Sequence, residues 1–481
     1  MMVSDKRKVL LLKVERPEDE NQLASPMGIM YVADAVRKAG FDVEIIHETW
    51  TEQSRRRLID KLRIEQNDIL LVGFSTITGP SLGPTIAAAK VVKNAFPAIR
   101  IVWGGVHASL LPEETLRNEF VDVVVIGEGE ETLVQLAVSI RSGWPLGSVE
   151  GIGFKENGIH ITKARDFIDN LDEYEPAWDL VNVERYYRRL GGTAKRALDV
   201  VTSRGCPYGC TFCYNITFNR RKWRPHSARY VISQVRTLKQ RYNADSVYLQ
   251  DDNFFTDKAR AYEIVGKIGI PWYAEIRADK LREEDVDRMA KLGCRNLFIG
   301  AESGSDRVLR EVLKKGIGRA DIVKTVRICK DKIELTLSFM IGLLGETRHE
   351  MFETLDFVAG LHELCGANGI ALNVLVPYPG TEMYGRVPDG KKPRATEDWV
   401  GLTRETTDRP WLRRAERMML RNILFAHQYL SSRQGIASRF EKRILAIERF
   451  RWRYKFFYCP AEIRIEELKR RFNKWRLGPR K

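Results

Sequence analysis

Two stretches of the chain alternate short apolar runs with helical patterns, and this alternation limits the possible folds more than any other feature. In the first stretch, about residues 8–145, strand patterns cover residues 9–14, 42–47, 69–75, 99–103 and 121–126. Helical patterns cover residues 28–39, where Gly40 ends the helix, and residues 84–96, before Pro97. Such alternation predicts an α/β fold with a doubly wound parallel sheet, and ligands of such sheets bind beyond the carboxyl ends of the strands.

The second stretch, about residues 196–390, repeats the alternation. Its strand patterns cover residues 198–202, 246–250, 272–276, 296–300, 335–341 and 370–376, with helical patterns such as 228–242 and 284–292 between them. Six strand–helix units predict a partial (β/α)6 barrel of the TIM type. In a barrel of this kind, functional residues lie at the carboxyl ends of the strands.

A chain of 481 residues is too long for one core, and about three domains are expected. We predict the doubly wound domain over residues 1–148 and a hairpin and linker over 149–195, with an Asn157-Gly158 turn. The barrel is predicted over residues 196–395 and a basic helical region over 396–481. Hydrophobic residues at 44% and aromatic residues at 10% are typical of globular proteins.

Three cysteines, Cys206, Cys210 and Cys213, lie in a C-x3-C-x2-C spacing just after the first strand of the predicted barrel. Thiolates are soft ligands that select zinc, copper or iron–sulfur clusters. Structural zinc takes four protein ligands and iron–sulfur clusters normally take four thiolates, but this loop offers three. Three thiolates on a four-iron cluster would leave one iron open to a small molecule, while structural zinc or an accidental spacing remains the alternative.

The remaining cysteines favour neither a disulfide framework nor a second cluster. They are scattered, and the total of seven is odd, which argues against a disulfide framework. A reducing cytosol also suits an exposed cluster loop. The four remaining cysteines are Cys294, Cys329, Cys365 and Cys459.

The cysteine spacing, with Phe212 just before the last cysteine, resembles the radical S-adenosylmethionine (SAM) superfamily. The resemblance implies a [4Fe-4S] cluster on the three cysteines and SAM bound to the open iron through its amino and carboxylate groups. Reductive cleavage of SAM would then give a 5′-deoxyadenosyl radical. It also implies an external electron donor of the flavodoxin or ferredoxin type.

Candidate SAM-binding residues follow the predicted barrel strands. Carboxylates suit the ammonium or the ribose diol of SAM, and an arginine suits its carboxylate. For Asp252 a solvated loop or a helix N-cap is the alternative. The full set, which includes residues that the resemblance implies, is Phe212, Asp251, Asp252, Arg277, Glu302, Ser338 and Ile341.

Three loops at the strand ends of the first domain combine glycines with hydroxyl groups. Glycine lets a backbone approach a large ligand closely, and hydroxyls can bond its polar rim, although tight turns in an unliganded sheet would look the same. Together the loops resemble the cobalamin-binding domain that precedes many radical SAM domains, over about residues 8–145. The candidate cobalamin-binding residues are Ser75, Thr76, Thr78, Gly104, Gly105, His107, Gly127, Glu128 and Gly129.

One motif of other cobalamin domains is missing here. Methionine synthase and the mutases carry Asp-x-His-x-x-Gly, whose histidine ligates cobalt, whereas residues 21–28 of this chain contain no histidine. We therefore expect cobalamin without a histidine lower ligand.

The combined motifs resemble the group that includes the anaerobic magnesium-protoporphyrin monomethyl ester cyclase and hopanoid methylases. The resemblance implies cobalamin-dependent methyl transfer to an unactivated carbon of a small, hydrophobic substrate. Oxidative cyclisation or rearrangement of a lipid, tetrapyrrole or other natural product is the alternative reaction, and a non-catalytic iron–sulfur sensor or electron carrier is the alternative class. Methylthiotransferases usually carry three further N-terminal cysteines, but this chain has none before Cys206.

Positive charge is concentrated at the C-terminus. From Trp411 onward there are 20 Lys or Arg against 6 Glu and no Asp, although the whole chain carries only +15. We predict a helix that places Phe450, Tyr454 and Phe457 on one stripe. A helix docked on the barrel, a peripheral membrane contact and nucleic-acid binding are the three interpretations, in that order.

The remaining features favour a cytoplasmic protein. Residues 1–8 are polar and do not form a signal peptide. No apolar run reaches the ~20 residues that span a membrane.

Overall fold

The structure of the protein, a computed structural model, describes residues 7–190, 192, 194–365, 369–403, 406–431 and 439–457. Both predicted α/β regions are present. Of the predicted tail, residues 458–481 and Cys459 lie outside the described residues.

The N-terminal region is one seven-stranded sheet with helices on both faces, in the strand order β2-β1-β3-β4-β5-β6-β7. Its elements are β1 (Lys8–Glu15), α1 (Met27–Lys38), β2 (Asp42–Thr49), α2 (Glu52–Glu65), β3 (Ile69–Ser75), α3 (Leu82–Ala95), β4 (Arg100–Gly104), α4 (Val106–Leu110), α5 (Pro112–Leu116), β5 (Val123–Val125), α6 (Glu130–Ser142), β6 (Ile152–Lys155) and β7 (Ile159–Ile161).

The first five strands of this sheet are parallel, because each is followed by a helix that returns the chain to the starting edge. The predicted hairpin, β6 and β7, adds two antiparallel strands to β5. The strand order reverses between β1 and β3, and the loops after β3, β4 and β5 all leave the same edge of the sheet. This is the edge where doubly wound sheets bind ligands.

The second region is also a seven-stranded sheet, in the order β16-β15-β14-β13-β12-β9-β8, with a separate two-stranded ribbon of β10 and β11. Its elements are β8 (Arg188–Leu190), β9 (Ala194–Val200), β10 (Ser203–Arg204), β11 (Arg224–Pro225), α7 (Ala228–Tyr242), β12 (Ser246–Leu249), α8 (Lys258–Ile268), β13 (Trp272–Ile276), α9 (Glu283–Lys291), β14 (Cys294–Glu302), α10 (Arg319–Cys329), β15 (Glu334–Ile341), α11 (Arg348–Cys365), β16 (Ile370–Val374), α12 (Glu382–Gly385), α13 (Arg414–Ser431) and α14 (Arg439–Tyr454).

Six strands of this sheet, from β9 to β16, run parallel, and β8 pairs antiparallel with β9. The six-unit partial barrel is therefore confirmed. Along β14 and β15 buried residues alternate with partly exposed ones, so one face of the sheet is packed and the other is partly open.

Helices α13 and α14 pack together and close one end of the barrel sheet. Ile423 and Ala426 of α13 are completely buried, and Trp452 of α14 is nearly so. No helix in the described part of the chain is long and apolar enough to cross a membrane.

The predicted aromatic stripe of the tail is wrong at one position. Phe450 and Tyr454 lie side by side on the exposed face of α14, with ring centroids 4.6 Å apart. The helix ends at Tyr454, Lys455 adopts a left-handed backbone, and Phe457 turns back into the core, where it is fully buried. The helical period therefore does not extend to Phe457.

Candidate functional site

The cysteine loop, residues 205–213, leaves the carboxyl end of β9 and is fixed at its start by Asp251. One oxygen of this buried carboxylate accepts the backbone N–H groups of Thr202 and Ser203 at 2.7 and 3.0 Å. The other oxygen accepts their hydroxyl groups at 2.5 and 2.8 Å. Asp251, predicted to bind SAM, thus lies beneath the loop with both oxygens engaged.

A second anchor fixes the middle of the cysteine loop. Thr211 donates its backbone N–H to the Leu313 carbonyl at 3.0 Å and its hydroxyl to the Val312 carbonyl at 2.8 Å. The Thr211 carbonyl accepts the Met383 N–H at 3.0 Å. Because these partners come from distant parts of the barrel, the loop is tied to the rest of the domain on both sides.

The three thiols lie partly or fully out of water. Cys210 is buried, whereas Cys206 and Cys213 are half-buried. Burial raises the pKa of the Cys206 thiol, and it raises the pKa of Cys213 to about 12. Since metals bind thiolates, assembly of a metal centre on this loop releases protons.

The donor set fits an iron–sulfur cluster better than a single ion. Within the described ranges, no three His, Cys, Asp or Glu side chains are grouped closely enough to hold one metal ion. A closed zinc site needs four such ligands around one ion, whereas thiolates on a four-iron cluster are spread over different irons. Cys206, Cys210 and Cys213 are therefore suited to hold a [4Fe-4S] cluster.

Arg277, predicted to bind the SAM carboxylate, lies directly against the cysteine loop. Its guanidinium carbon is 3.8 Å from the ring centroid of Tyr208, and its Nη2 donates to the Lys315 carbonyl at 2.7 Å. Its Nε donates to Asp279 at 3.0 Å. The side chain is buried, so a positive charge is held beside the thiols.

Glu302, at the end of β14, is buried and paired with Lys315, whose Nζ is 3.0 Å from its Oε1. The same ammonium lies 5.9 Å from the ring centroid of Phe212 in the cysteine loop. The register of β14 shifts between Gly300 and Glu302, and Glu302 has a left-handed φ of 65°. This bulge aims the carboxylate at the loop, at a cost in backbone strain that is common at functional sites.

The other predicted SAM contacts lie at the same end of the barrel. Asp252 follows β12 and is exposed beside Asn215 and Gly205, and partial removal from water raises the pKa of its carboxyl group. Ser338 of β15 accepts a hydrogen bond from Asn373 at 3.1 Å. Ile341 ends β15 and is fully buried. The structure thus brings these residues to one strand edge, and contact with SAM stays a prediction for each.

The three predicted cobalamin loops are joined at the carboxyl edge of the N-terminal sheet. Thr76, which follows Ser75 at the end of β3, donates both its N–H and its hydroxyl to the Gly104 carbonyl at 2.8 Å. The Gly127 N–H donates to the Ser109 hydroxyl at 2.9 Å. Gly105 has a φ of 95°, and an added Cβ would come within 2.6 Å of the Thr76 carbonyl oxygen, so only glycine fits.

His107 lies inside the protein rather than on the edge of the sheet. Its Nδ1 is 3.1 Å from the Thr78 hydroxyl, its side chain is fully buried, and burial lowers its pKa to about 4. Its Nε2 has no hydrogen-bond partner among the described residues. His107 therefore helps to hold two of the loops together and is neutral near pH 7.

The edge that these loops form is open at one glycine. Gly127 has a φ of 84°, and an added Cβ would meet no atom within 4 Å. Gly129 lies just before the first turn of α6. An added Cβ at Gly129 would come within 2.9 Å of Val32, so the open backbone lies at Gly127, where a large ligand such as cobalamin could approach closely.

Glu128 joins the two domains, and its predicted contact with cobalamin stays a prediction. Its carboxylate accepts two hydrogen bonds from Arg224 at 2.9 Å and one from Arg204 at 2.7 Å. Arg204 also donates to Glu130 at 2.6 Å. Arg204 and Arg224 come from the paired strands β10 and β11, and Arg204 lies two residues before Cys206. We call these four residues the interdomain clamp.

A segment after the barrel, which contains Thr396 and Trp399, packs against the N-terminal domain. The sequence did not predict this contact. Trp399 is fully buried, its indole N–H donates to Glu114 at 3.0 Å, and its ring lies 6.3 Å from that of His107. Thr396 accepts a hydrogen bond from Asn118 at 2.9 Å. This segment covers the helices behind the cobalamin loops.

Sequence reasoning also missed Lys315, Glu130, Arg204 and Arg224. Glu130 follows Gly129, and Arg204 lies two residues before Cys206, so both lie beside predicted site residues. Their opposite charges could have indicated an ion pair between the two loops. Lys315 lies 13 residues after Glu302, and only the fold brings it back to that carboxylate.

Comparisons with known proteins agree with this geometry. Residues 200–358 match the family model of the radical SAM superfamily, and residues 21–137 match that of the B12 binding domain. An uncharacterised methyltransferase of Pyrococcus horikoshii is 32% identical over 371 residues, which cover 75% of this chain and 77% of the relative.

Two further proteins are similar to this chain, the first in sequence and the second in fold. The anaerobic magnesium-protoporphyrin IX monomethyl ester cyclase of Synechocystis is 25% identical over 75% of this chain and 72% of its own. The radical SAM methyltransferase TsrM of Kitasatospora setae, solved with cobalamin and a [4Fe-4S] cluster bound, has a TM-score of 0.63 at 20% identity and covers 79% of this chain and 74% of its own.

Three observations therefore agree with one another. They are the cysteine loop at the end of β9, the glycine-rich edge of the N-terminal sheet and the predicted family resemblance. The chain belongs to the radical SAM superfamily, in the group whose members carry a B12-binding domain before the radical SAM barrel.

Proposed function

We propose that this protein is a cobalamin-dependent radical SAM enzyme that transfers a methyl group to an unactivated carbon of a small, hydrophobic molecule. The interdomain clamp is the observation that carries the joint use of the two cofactors. Glu128 and Glu130 belong to the cobalamin loop after β5, while Arg204 belongs to the ribbon that leads into the cysteine loop. The two cofactor loops are thus held at one interface, as a reaction that uses both cofactors requires.

When bound, the cluster supplies one electron for SAM cleavage and cobalamin supplies the methyl group. The chain positions these groups. Asp251 and Thr211 fix the cysteine loop, while Arg277 and the Glu302–Lys315 pair hold charges beside this loop, and such charges would suit the carboxylate and the ammonium of SAM. The buried setting strengthens each of these interactions relative to water.

Methyl transfer is favoured over cyclisation by the relative that is 32% identical, which is described as a methyltransferase, whereas the cyclase of Synechocystis is 25% identical. The interdomain clamp serves either reaction, since both use SAM.

The deciding experiment uses protein reconstituted with iron and sulfide without oxygen, then given hydroxocobalamin, a reductant and SAM. Methyl transfer from SAM to cobalamin needs no substrate and leaves S-adenosylhomocysteine, whereas radical cleavage leaves 5′-deoxyadenosine. We expect both products from the parent protein. The variant in which Cys206, Cys210 and Cys213 are all alanine should form no 5′-deoxyadenosine.

The outcomes separate the candidate functions. Formation of 5′-deoxyadenosine without S-adenosylhomocysteine would favour cyclisation or rearrangement. Absence of both products from protein that contains the full complement of iron would favour a non-catalytic iron–sulfur protein.

We propose further that the enzyme takes its electron from a flavodoxin or ferredoxin and contacts a membrane surface through α14. Phe450 and Tyr454 are 55% and 60% exposed, and Arg449 and Arg453 are exposed on the same helix. Basic and aromatic side chains suit the interface of an anionic bilayer. Such placement would bring a cytosolic enzyme to a lipid-soluble substrate.

A further inference from the structure

The segment Arg220-Arg221-Lys222, which we call the basic loop, has a strained backbone. Arg220 and Arg221 have left-handed φ values of 50° and 59° in succession, which is costly for residues other than glycine. Two hydrogen bonds hold the turn, from the Arg221 N–H to the Asn215 carbonyl at 3.2 Å and from the Lys222 N–H to the Asn219 carbonyl at 2.9 Å. The turn therefore projects three consecutive cations from a fixed backbone.

The basic loop lies directly on the cysteine loop. An added Cβ at Gly205 would clash with the Lys222 carbonyl oxygen, and one at Gly209 would come within 3.2 Å of the Arg221 guanidinium carbon. Gly209 lies between Cys206 and Cys210 in the sequence. The Arg221 side chain therefore covers the outer side of the loop that holds the cluster.

The three cations are exposed and are not neutralised by nearby acids. Arg220, Arg221 and Lys222 are all exposed, and none forms an ion pair with a carboxylate of the described residues. Arg220 and Lys222 flank the ring of Phe167, at 5.1 and 5.6 Å from its centroid. Neighbouring Arg224, by contrast, is committed to Glu128. A positive patch thus lies against the outer side of the cysteine loop.

We propose that the basic loop is the docking surface for the one-electron donor, a small redox protein with an acidic face. The inference deepens the proposed function and rests on it, since a cluster that cleaves SAM must be re-reduced. In each encounter the donor loses one electron and the cluster gains one, and cleavage of one SAM consumes that electron. Electron tunnelling weakens steeply with distance, so docking on the loop that carries the thiols gives the shortest route.

Position and charge together favour this partner over a nucleic acid or a membrane. The patch contains three cations in one turn, which suits a brief encounter steered by charge. Phosphate binding by nucleic acid draws on many more cations along an extended surface. The exposed aromatic residues that a membrane contact would use lie on α14 instead.

The test compares two electron sources with reconstituted, cobalamin-loaded full-length protein. A bacterial flavodoxin in its hydroquinone form is the protein donor, and titanium(III) citrate is the small donor that needs no docking surface. The variant is R220E/R221E/K222E, and 5′-deoxyadenosine formation is measured against flavodoxin concentration and ionic strength. The charge-reversal control is R55E/R56E/R63E, which reverses three exposed cations on α2 that pair with Glu52 and Asp60.

We expect the variant to lose about tenfold in the rate constant for flavodoxin at low salt, with less difference at high salt, because steering is screened. Its rate with titanium(III) citrate and its iron content should equal those of the parent, and the α2 control should behave as the parent does. Because glutamate in a left-handed turn strains the backbone, R220G/R221N serves as a second variant that keeps the turn.

Several results would overturn the proposal. Equal rates with flavodoxin for parent and both variants would show that the donor docks elsewhere, and equal losses with both electron sources would show that the loop only supports the cluster. A loss of binding to anionic vesicles or to RNA, with flavodoxin rates unchanged, would assign the patch to that partner. If the parent forms no 5′-deoxyadenosine even with titanium(III) citrate, the proposed function itself has failed.

Discussion

Lys315 is a residue whose role can be separated from simple packing, because its neighbour Lys314 is a natural control. Lys315 is buried against Glu302, whereas Lys314 is exposed and pairs with Glu382 at 2.8 Å. We predict that K315M raises the KM for SAM about tenfold or more, since a charged hydrogen bond contributes about 1.5–3 kcal/mol. SAM-dependent formation of 5′-deoxyadenosine gives the KM, and K314M should leave it unchanged.

Measuring both the KM for SAM and the iron content distinguishes a positioning role of Lys315 from a purely structural one. If Lys315 acts by orienting Glu302, K315M retains its cluster and K315R recovers part of the affinity. Loss of iron together with activity would mean that the ion pair only supports the fold.

His107 makes the stability of the protein depend on pH. Its folded pKa of about 4 lies below the unfolded value of 6.5, so protonation favours the unfolded chain. This contribution is fully present above pH 6.5 and declines as the pH falls towards 4, with a loss of about 2 kcal/mol by pH 5. We predict that H107Q loses less apparent Tm between pH 7.5 and pH 5 than the parent. H160Q, which changes an exposed histidine, should lose as much as the parent, and an identical decline for H107Q would contradict the assignment.

At the scale of single residues, the sequence identifies chemistry more readily than it identifies contacts. The three thiols are brought to one loop as their spacing predicts. Asp251 was correctly identified as a strand-end carboxylate, but its four hydrogen bonds to Thr202 and Ser203 depend on the adjacency of β9 and β12. That adjacency comes from the sheet and not from the local sequence.

At the scale of elements, the ribbon of β10 and β11 connects the cobalamin edge to the cysteine loop through Arg204. We predict that R204M destabilises the protein by about 3–5 kcal/mol, because Glu130 keeps a buried charge without its cationic partner, while Glu128 retains Arg224. SAM cleavage and cobalamin affinity should both fall. R63M, which removes an exposed arginine paired with Asp60 on α2, is the control, with a Tm close to that of the parent.

The charge-swapped double variant R204E/E130R provides the second measurement. Partial recovery of Tm and of SAM cleavage relative to R204E would confirm that the pair couples the domains. If R204M cleaves SAM at the parent rate and binds cobalamin as tightly, the interdomain clamp has no role in positioning the cofactors.

Elements with strong apolar periodicity were predicted well, and polar ones were not. Strand β3 was predicted at its observed bounds, because a fully buried parallel strand is a continuous apolar run. Helix α2 was missed, since it buries only Ser54, Leu58 and Leu62 along 14 residues. Its capping box between Thr51 and Ser54 was the available signal.

At the scale of the whole molecule, the contacts that the sequence could not predict are those between distant segments. Trp399 packs near His107, almost three hundred residues earlier in the chain, and no local pattern indicates such a pairing. The order of the domains was predictable from the alternation of strands and helices. Their shared interface, with the interdomain clamp and the Trp399 contact, required the fold.

The concentration of charge in the C-terminal region is also a property of the whole molecule, and it leads to a prediction about vesicle binding. Each exposed arginine near an anionic bilayer contributes about 1 kcal/mol, and the attraction fades within a Debye length. We predict that the full-length protein co-sediments with anionic vesicles at low salt and less at high salt. The variant R449E/R453E/F450S/Y454S should lose most of this binding, whereas I64S/W144S, which alters exposed apolar residues elsewhere, should not.

Point variants are preferable to truncation here, because Trp452 and Phe457 are buried in the barrel core and removal of α14 would expose that core. Binding that is unaffected by the four substitutions would assign the contact to other residues. A parent protein that ignores anionic vesicles at low salt would leave α14 as a docked helix whose outer face is solvated. Parallel measurement of SAM cleavage with titanium(III) citrate would separate the two roles, since the exposed face of α14 lies outside the cysteine loop and its substitution should leave that rate unchanged.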